Sequence, residues 1–370
     1  MMKAAVVFGT RPETIKLAPV VMELKKRGIP TTVLVTAQHR QMLDQELAVF
    51  GIVPDHDLDV MKPDQDLFHI TSAVLLKIQP VLTGEKPDVL IVQGDTTTTL
   101  TASLAAFYMK IPVGHVEAGL RTGDIMNPFP EEMNRQLTSR IATYHFAPTE
   151  RARSNLLAEG VPPARIHVTG NTVIDALRTI VRRDHRFTDG PLASVDFGKR
   201  RVILLTVHRR ESFGKPLEDV FGACREIVET IPGTALVYPV HPNPNVRNAA
   251  HRILGRVPGI TLIDPLGYRE FVQLMNKCTL ILSDSGGIQE EAPSLGKPVL
   301  VLRNVTERPE AIEAGTAVLV GTDRGKIVGE ARLLLTDESA YAARANRKNP
   351  FGDGRASVRI VDELVRDRER

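Results

Sequence analysis

Ala4-Ala5-Val6-Val7-Phe8-Gly9-Thr10-Arg11-Pro12-Glu13-Thr14-Ile15-Lys16 decides how the rest of the chain is read. Five apolar residues in a row suit a short strand buried on both faces. Gly9 supplies the turn. Pro12 falls in the first turn of a helix, where its missing N–H costs nothing. The same unit of strand, turn and helix then recurs. Residues 32–36, 89–93, 113–116 and 144–147 are short apolar or β-branched runs, most of them followed by a helical pattern. A second series begins at 202–206 and continues at 235–240, 261–263, 280–283 and 299–302. Continuous apolar strands between helices predict parallel sheets, and two series predict two Rossmann-like, doubly wound α/β domains. Such domains bind ligands at the C-terminal ends of their strands, so the expected site is a cleft that the two domains face.

A chain of 370 residues is too long for one ordinary core, which agrees with two domains. The expected division is 1–172 with a C-terminal helix at 356–370, and 173–355 as the second domain. Residues 182–201 are polar and rich in turn formers, as an exposed excursion near the join should be. In the last segment Val358, Val361, Leu364 and Val365 fall at helical spacing on one face.

The charge balance, 47 basic against 44 acidic residues, is too even for a nucleic-acid footprint. Positive charge is better used locally, on an anionic substrate. The apolar run at the N-terminus is too short for a signal segment, and no stretch of about 18 apolar residues predicts a membrane span. Cys224 and Cys278 stand alone in apolar contexts and read as buried, reduced thiols. Together these features predict a cytoplasmic protein with neither nucleic acid nor membrane as a partner.

The chemistry-bearing residues fall just after strands. Arg11 and Lys16 flank a helix start, where backbone N–H groups and the helix dipole favour anions. The loop has neither the P-loop spacing nor a G-x-G-x-x-G turn. Gln93-Gly94-Asp95 ends the third strand, and Asp95 is either a helix N-cap or a site carboxylate. Glu117 ends the next strand, and Asn127-Pro128-Phe129-Pro130-Glu131-Glu132 is a rigid loop with two more carboxylates. Acids gathered on one rim raise one another's pKa and suit acid–base work. In the second half His208, accompanied by Arg209 and Arg210, follows the first strand, and His241 follows the next. Ser283-Asp284-Ser285-Gly286-Gly287-Ile288-Gln289-Glu290-Glu291 runs strand, glycine turn, helix. The glycines admit a ligand close to the backbone, and the helix start offers free N–H donors to a pyrophosphate. Glu291, one turn on, can bond ribose hydroxyls, and Arg308 adds positive charge.

In these stretches the chain resembles the non-hydrolysing bacterial UDP-N-acetylglucosamine 2-epimerases, which have the two-domain GT-B architecture. The matching segments are 9–16, 93–97, 116–121, 128–134, 208–214 and 283–298. The resemblance implies reversible C2 epimerisation of UDP-N-acetylglucosamine to UDP-N-acetylmannosamine, for cell-surface polysaccharide synthesis. It implies no cofactor and no metal, UDP-N-acetylglucosamine and UDP as ligands, and a homodimer. Asp95, Glu117 and Glu131 match the catalytic carboxylates, and His208 the essential histidine. Arg11, Lys16, Phe271, Ser285, Gly286, Gly287, Glu291 and Arg308 match UDP-binding positions. Gln38, Gln41, Glu131, Arg209 and His241 match a second, activating site of some members, but Asp64 stands where those members carry an arginine.

A nicotinamide route would need a G-x-G-x-x-G turn and a Tyr-x-x-x-Lys pair. The five tyrosines are followed four positions later by Pro112, Pro148, Pro242, Val272 and Ala345. A glycosyltransferase, a hydrolytic epimerase and a nucleotide-sugar sensor are the rival readings. The fold alone does not separate them.

Overall fold

The computed structural model describes the backbone of residues 2–36, 40–60 and 65–368. It holds two parallel sheets. The first runs in the order β3-β2-β1-β4-β5-β6-β7, with β1 Ala4–Phe8, β2 Thr31–Val35, β3 His56–Asp57, β4 Val89–Gln93, β5 Val113–Val116, β6 Tyr144–Ala147 and β7 Ile166–Val168. The second runs β10-β9-β8-β11-β12-β13, with β8 Arg201–Thr206, β9 Thr234–Pro239, β10 Ile260–Ile263, β11 Leu280–Ser283, β12 Val299–Val301 and β13 Ala317–Leu319. Both are doubly wound. In each, the direction of winding reverses at one place, between β1 and β4 and between β8 and β11. Strands β1 and β4 are buried along their full length, as the apolar runs Ala4–Phe8 and Val89–Val92 require. The edge strands β3, β7 and β13, of two, three and three residues, are too short to carry a strand pattern in the sequence.

The chain divides into two compact units, 1–179 with 351–370, and 180–350. The sequence places the division at 172 and 356 instead. The helix Thr172–Ile180 goes with the first unit because its Asp175 binds the start of the helix Ala356–Arg368. The Asp175 carboxylate accepts from the N–H of Ala356 (3.1 Å) and Ser357 (2.8 Å) and from Ser357 Oγ (2.6 Å). Just before, Asn171 N–H donates to Phe351 O at 2.7 Å. The two strands of chain pass so closely here that a Cβ on Gly170 would lie 3.3 Å from Gly352 Cα. Both residues have positive φ, so glycine serves twice. The final helix buries Ile360, Val361 and Leu364, whereas Val358 and Val365 are half-buried, so the inward face is turned from the expected one.

The helix Leu67–Glu85 is long and apolar enough, by length and composition, to cross a membrane, which the sequence reading had not anticipated. Its Val74, Ile78 and Leu82 pack into the first unit's core with Leu90, Val92 and Ala106. Cys224 and Cys278 are buried and unbridged, and burial pushes both thiols up to about 12.

Two buried histidines, His115 on β5 and His145 on β6, lie side by side in register. His115 Nε2 is 2.7 Å from Gly94 O, so it is the protonated ring nitrogen. Burial holds His115 down at about 4 and His145 at about 3. The folded rings therefore stay neutral where unfolded ones, with a pKa near 6.5, bind protons. Their contribution is complete above that pH and is lost as the pH falls towards 4, at roughly 2–3 kcal/mol per pH unit for the pair. Urea unfolding between pH 7 and 4 should show this slope, and H115Q/H145Q should flatten it. An unchanged slope in the double variant would show that other groups set it.

Candidate active site

The first unit's candidate residues lie at the β1/β4 reversal and on the adjoining β5, where diverging helices leave the strand ends open. Beyond β1 the turn at Gly9 and Thr10 leads into the helix Arg11–Lys26. Its third residue, Glu13, is 2% exposed. The Glu13 carboxylate accepts from Gly9 N (3.0 Å), Thr10 N (2.7 Å), Thr96 Oγ1 (2.6 Å) and Thr99 Oγ1 (3.1 Å). One side chain thus pins the loop after β1 to the loop after β4. Burial raises its pKa despite those four donors. Lys16, one turn along the same helix, places Nζ 2.5 Å from Glu117 Oε2. Gln93 Nε2, at the end of β4, donates to the same oxygen at 2.6 Å. Glu117 itself is buried and holds φ +62°, in the left-handed region. Arg11 Nε pairs with the buried Glu46 at 2.7 Å.

Asp95 is no N-cap. Thr96 caps the helix Thr97–Tyr108, accepting from Thr99 N at 3.1 Å. The Asp95 carboxylate instead meets Arg135 Nη2, and Asn134 Nδ2 donates to Asp95 O at 2.9 Å. Asn134 and Arg135 belong to the helix Glu131–Ile141, so Glu131 opens the element that grips Asp95. The neighbouring Glu132 is fully buried and accepts from Arg135 Nη1 and Thr122 N, both at 3.1 Å.

The second unit repeats the arrangement at β8/β11. Asp284, 1% exposed, follows β11 and receives the loop after β8. Its carboxylate accepts from the N–H of His208 and of Arg209, each at 2.8 Å, and lies 2.9 Å from His208 Nδ1. Burial alone would raise the Asp284 pKa, but the bonds and charge of His208 together with the two N–H groups outweigh it and hold it low. The pairing engages His208 by Nδ1, with its side chain 44% exposed. His241 stacks beside it with ring centres 5.8 Å apart. Burial and then the neighbouring His208 lower the His241 pKa. Ser285 precedes the helix Gly286–Glu291, and a Cβ on Gly286 would come 3.9 Å from the Arg308 guanidinium, which pairs with the buried Glu290. Glu291 accepts from Tyr268 Oη at 2.7 Å, and Phe271 lies half-buried one turn after Tyr268.

The sequence residues therefore fall into two groups. Lys16 with Glu117, and Asp95 with the helix of Glu131 that grips it, lie in the first unit. His208 with Arg209 and His241, and Ser285 to Gly287 with Glu291 and Arg308, lie in the second. Gln38 and Asp64 lie outside the described residues, as does the side chain of Gln41. Sequence reasoning gave no role to Glu13, Gln93, Asn134, Arg135 or Asp284. The available signal was position alone, since each adjoins a strand end or a motif already marked. Among the described residues no group of three or more His, Cys, Asp or Glu side chains is placed to hold a metal ion.

Residues 22–365 match the family described as UDP-N-acetylglucosamine 2-epimerase. The chain is 55% identical to the UDP-N-acetylglucosamine 2-epimerase of Escherichia coli K12, over 99% of each chain. It superposes with a TM-score of 0.89 on the UDP-GlcNAc 2-epimerase of Neisseria meningitidis bound to UDP-GlcNAc, at 49% identity over 99% of this chain and 100% of that one. The TM-score is 0.79 for the Methanocaldococcus jannaschii UDP-GlcNAc 2-epimerase in complex with UDP-GlcNAc and UDP, at 37% identity over 99% and 100%. With the family model spanning most of the chain and the relatives matched from end to end, this chain belongs to the UDP-N-acetylglucosamine 2-epimerases, which are isomerases.

Proposed function

We propose that the enzyme interconverts UDP-N-acetylglucosamine and UDP-N-acetylmannosamine by eliminating and re-adding UDP, without hydrolysis. The observation that carries this reading is the pair of carboxylates, Asp95 and Glu117, held by Arg135 and by Lys16 at the ends of neighbouring strands. The C2–H bond has no adjacent carbonyl, so a base alone cannot remove that proton. Loss of UDP solves the problem. The C1–O bond breaks and its electron pair leaves with the diphosphate. The oxocarbenium-like sugar has an acidic C2 proton, which a carboxylate takes as the C1=C2 bond forms. The intermediate is 2-acetamidoglucal. A second carboxylic acid returns a proton to the opposite face of C2, and the UDP oxygen adds back to C1. Ser285, Gly286, Gly287, Arg308 and His208 suit the diphosphate, and Glu291 the ribose. The elimination chemistry uses no nicotinamide and no metal.

The same reading makes the product a precursor for cell-surface polysaccharide and places the enzyme in the cytoplasm. It also makes the enzyme a homodimer. Adjoining helices of the first unit leave Phe68, Leu76, Phe107, Tyr108 and Leu137 exposed, and apolar faces of this kind mark association surfaces. L76E/F107E should shift the protein in sedimentation from the mass of two chains to that of one. A second ligand beside Arg209 and His241 would bias His208 through the loop that His208 and Arg209 share, weakly here because Asp64 replaces a cation.

Incubation of UDP-N-acetylglucosamine in deuterated water, with neither nicotinamide nor metal added, should place deuterium at C2 and yield the epimer without net UDP release. Activity that disappears when tightly bound nucleotide cofactor is stripped, or UDP that accumulates in step with free sugar, would overturn the mechanism. D95N, E117Q and E131Q should each lower turnover at least about a hundredfold, the low end for a general acid or base, while UDP affinity stays near wild type. Near-normal turnover in all three would remove the carboxylates from the chemistry.

A further inference from the structure

We propose that Arg135 is a positioning residue for Asp95, and that the helix Glu131–Ile141 serves as one rigid mount for two of the working carboxylates. The inference rests on Asp95 being a reacting group. Asp95 follows Gly94, which has φ +75°, and its side chain makes no capping bond, so its own loop gives it little orientation. Its side chain is 30% exposed, whereas that of Arg135 is 12% exposed. The guanidinium uses one nitrogen for Asp95 Oδ2 and another, Nη1, for Glu132 at 3.1 Å. Glu132 is fully buried and is itself fixed by Thr122 N (3.1 Å) and Gln136 Nε2 (3.1 Å). A chain of fixed partners therefore runs from the protein interior to Oδ2 of Asp95. The residue before Arg135 completes the grip, because Asn134 Nδ2 holds the Asp95 carbonyl at 2.9 Å. Main chain and side chain of Asp95 are thus both set by consecutive residues of the helix that begins with Glu131.

Arginine is required by the geometry. A planar guanidinium presents separate N–H donors to two carboxylates at once and stays charged. A lysine ammonium at the end of a flexible stem supplies charge with no fixed angle. Small misplacements of a reacting group are costly in rate, so loosening Asp95 should lower turnover and leave ground-state binding nearly untouched.

The test is a double-mutant cycle on the full-length enzyme, with UDP-N-acetylglucosamine as substrate. R135M should lower kcat about 10- to 100-fold with KM within about threefold of wild type. R135K should fall between the two. UDP affinity and the near-UV circular dichroism spectrum should be retained. The deciding figure is D95N/R135M, which should be no slower than D95N alone, because an ill-aimed side chain that is already inert can lose nothing more. R135M leaves Glu132 buried without its cation, and if that variant does not fold, R135M/E132Q replaces it in the cycle. Losses that multiply in the double variant would mean that Arg135 acts independently of Asp95 and would overturn the proposal, as would a wild-type kcat in R135M. A wild-type kcat in D95N would instead show that Asp95 is no reacting group, and the positioning role would fall with it. A slow D95N beside an unaffected R135M leaves the epimerase chemistry standing and removes only the mount.

Discussion

A carboxylate at the end of a buried parallel strand has lost its water and must find a cation or several N–H donors. An unpaired buried charge costs several kcal/mol, and removing one partner of an established pair costs about 3–5 kcal/mol. Both units put acids just after strand ends or in the helices that follow them, and both meet the requirement within the same unit. Glu117 has Lys16 and Gln93, and Asp95 and Glu132 share Arg135. Asp284 has His208 and two backbone N–H groups, and Glu290 has Arg308. Glu13 has four donors, and burial raises its pKa despite them. The reversal of winding opens the space, and the pairing rule decides which side chains can occupy it.

Much of this was legible in the sequence. The inner strands β1, β4, β8 and β11 are built on runs of three to five apolar residues, so their ends, and the acids and histidine beyond them, could be located by reading. Three of the four edge strands could not. β3 is His56-Asp57, and β7 and β13 have three residues each, held by pairing to an inner neighbour rather than by their own pattern. The acids of the site were visible as residue types, but their partners were not. Arg135 is 40 residues from Asp95, and His208 is 76 from Asp284. No local pattern encodes such a contact. Asp95 shows the ambiguity well. Asp and Thr both make good N-caps, and only the backbone shows that Thr96 takes that role and frees Asp95. The final helix was found, but its inward face is set by Asp175 binding at Ala356 and Ser357, which its own periodicity does not encode.

Glu117 carries a cost of its own. A non-glycine residue at φ +62° stores about 1–3 kcal/mol and persists only where its surroundings over-determine it. The two short bonds to its Oε2 do so. Release of either Lys16 or Gln93 would let that backbone relax and carry the carboxylate away from its present place.

The first unit is interrupted in the chain. Residues 351–370, which close it, follow the whole of 180–350. On the ribosome, Asp175 and the surface meant for Ile360, Val361 and Leu364 are therefore complete long before their covering helix exists. At roughly 5–20 residues per second, the wait lasts on the order of 10–35 seconds. During that time the nascent first unit presents an open apolar strip while the second is being made. The second unit is contiguous and can finish first, so folding would close from the middle of the chain outward. Exposed apolar surface of that kind is what chaperones shield during synthesis.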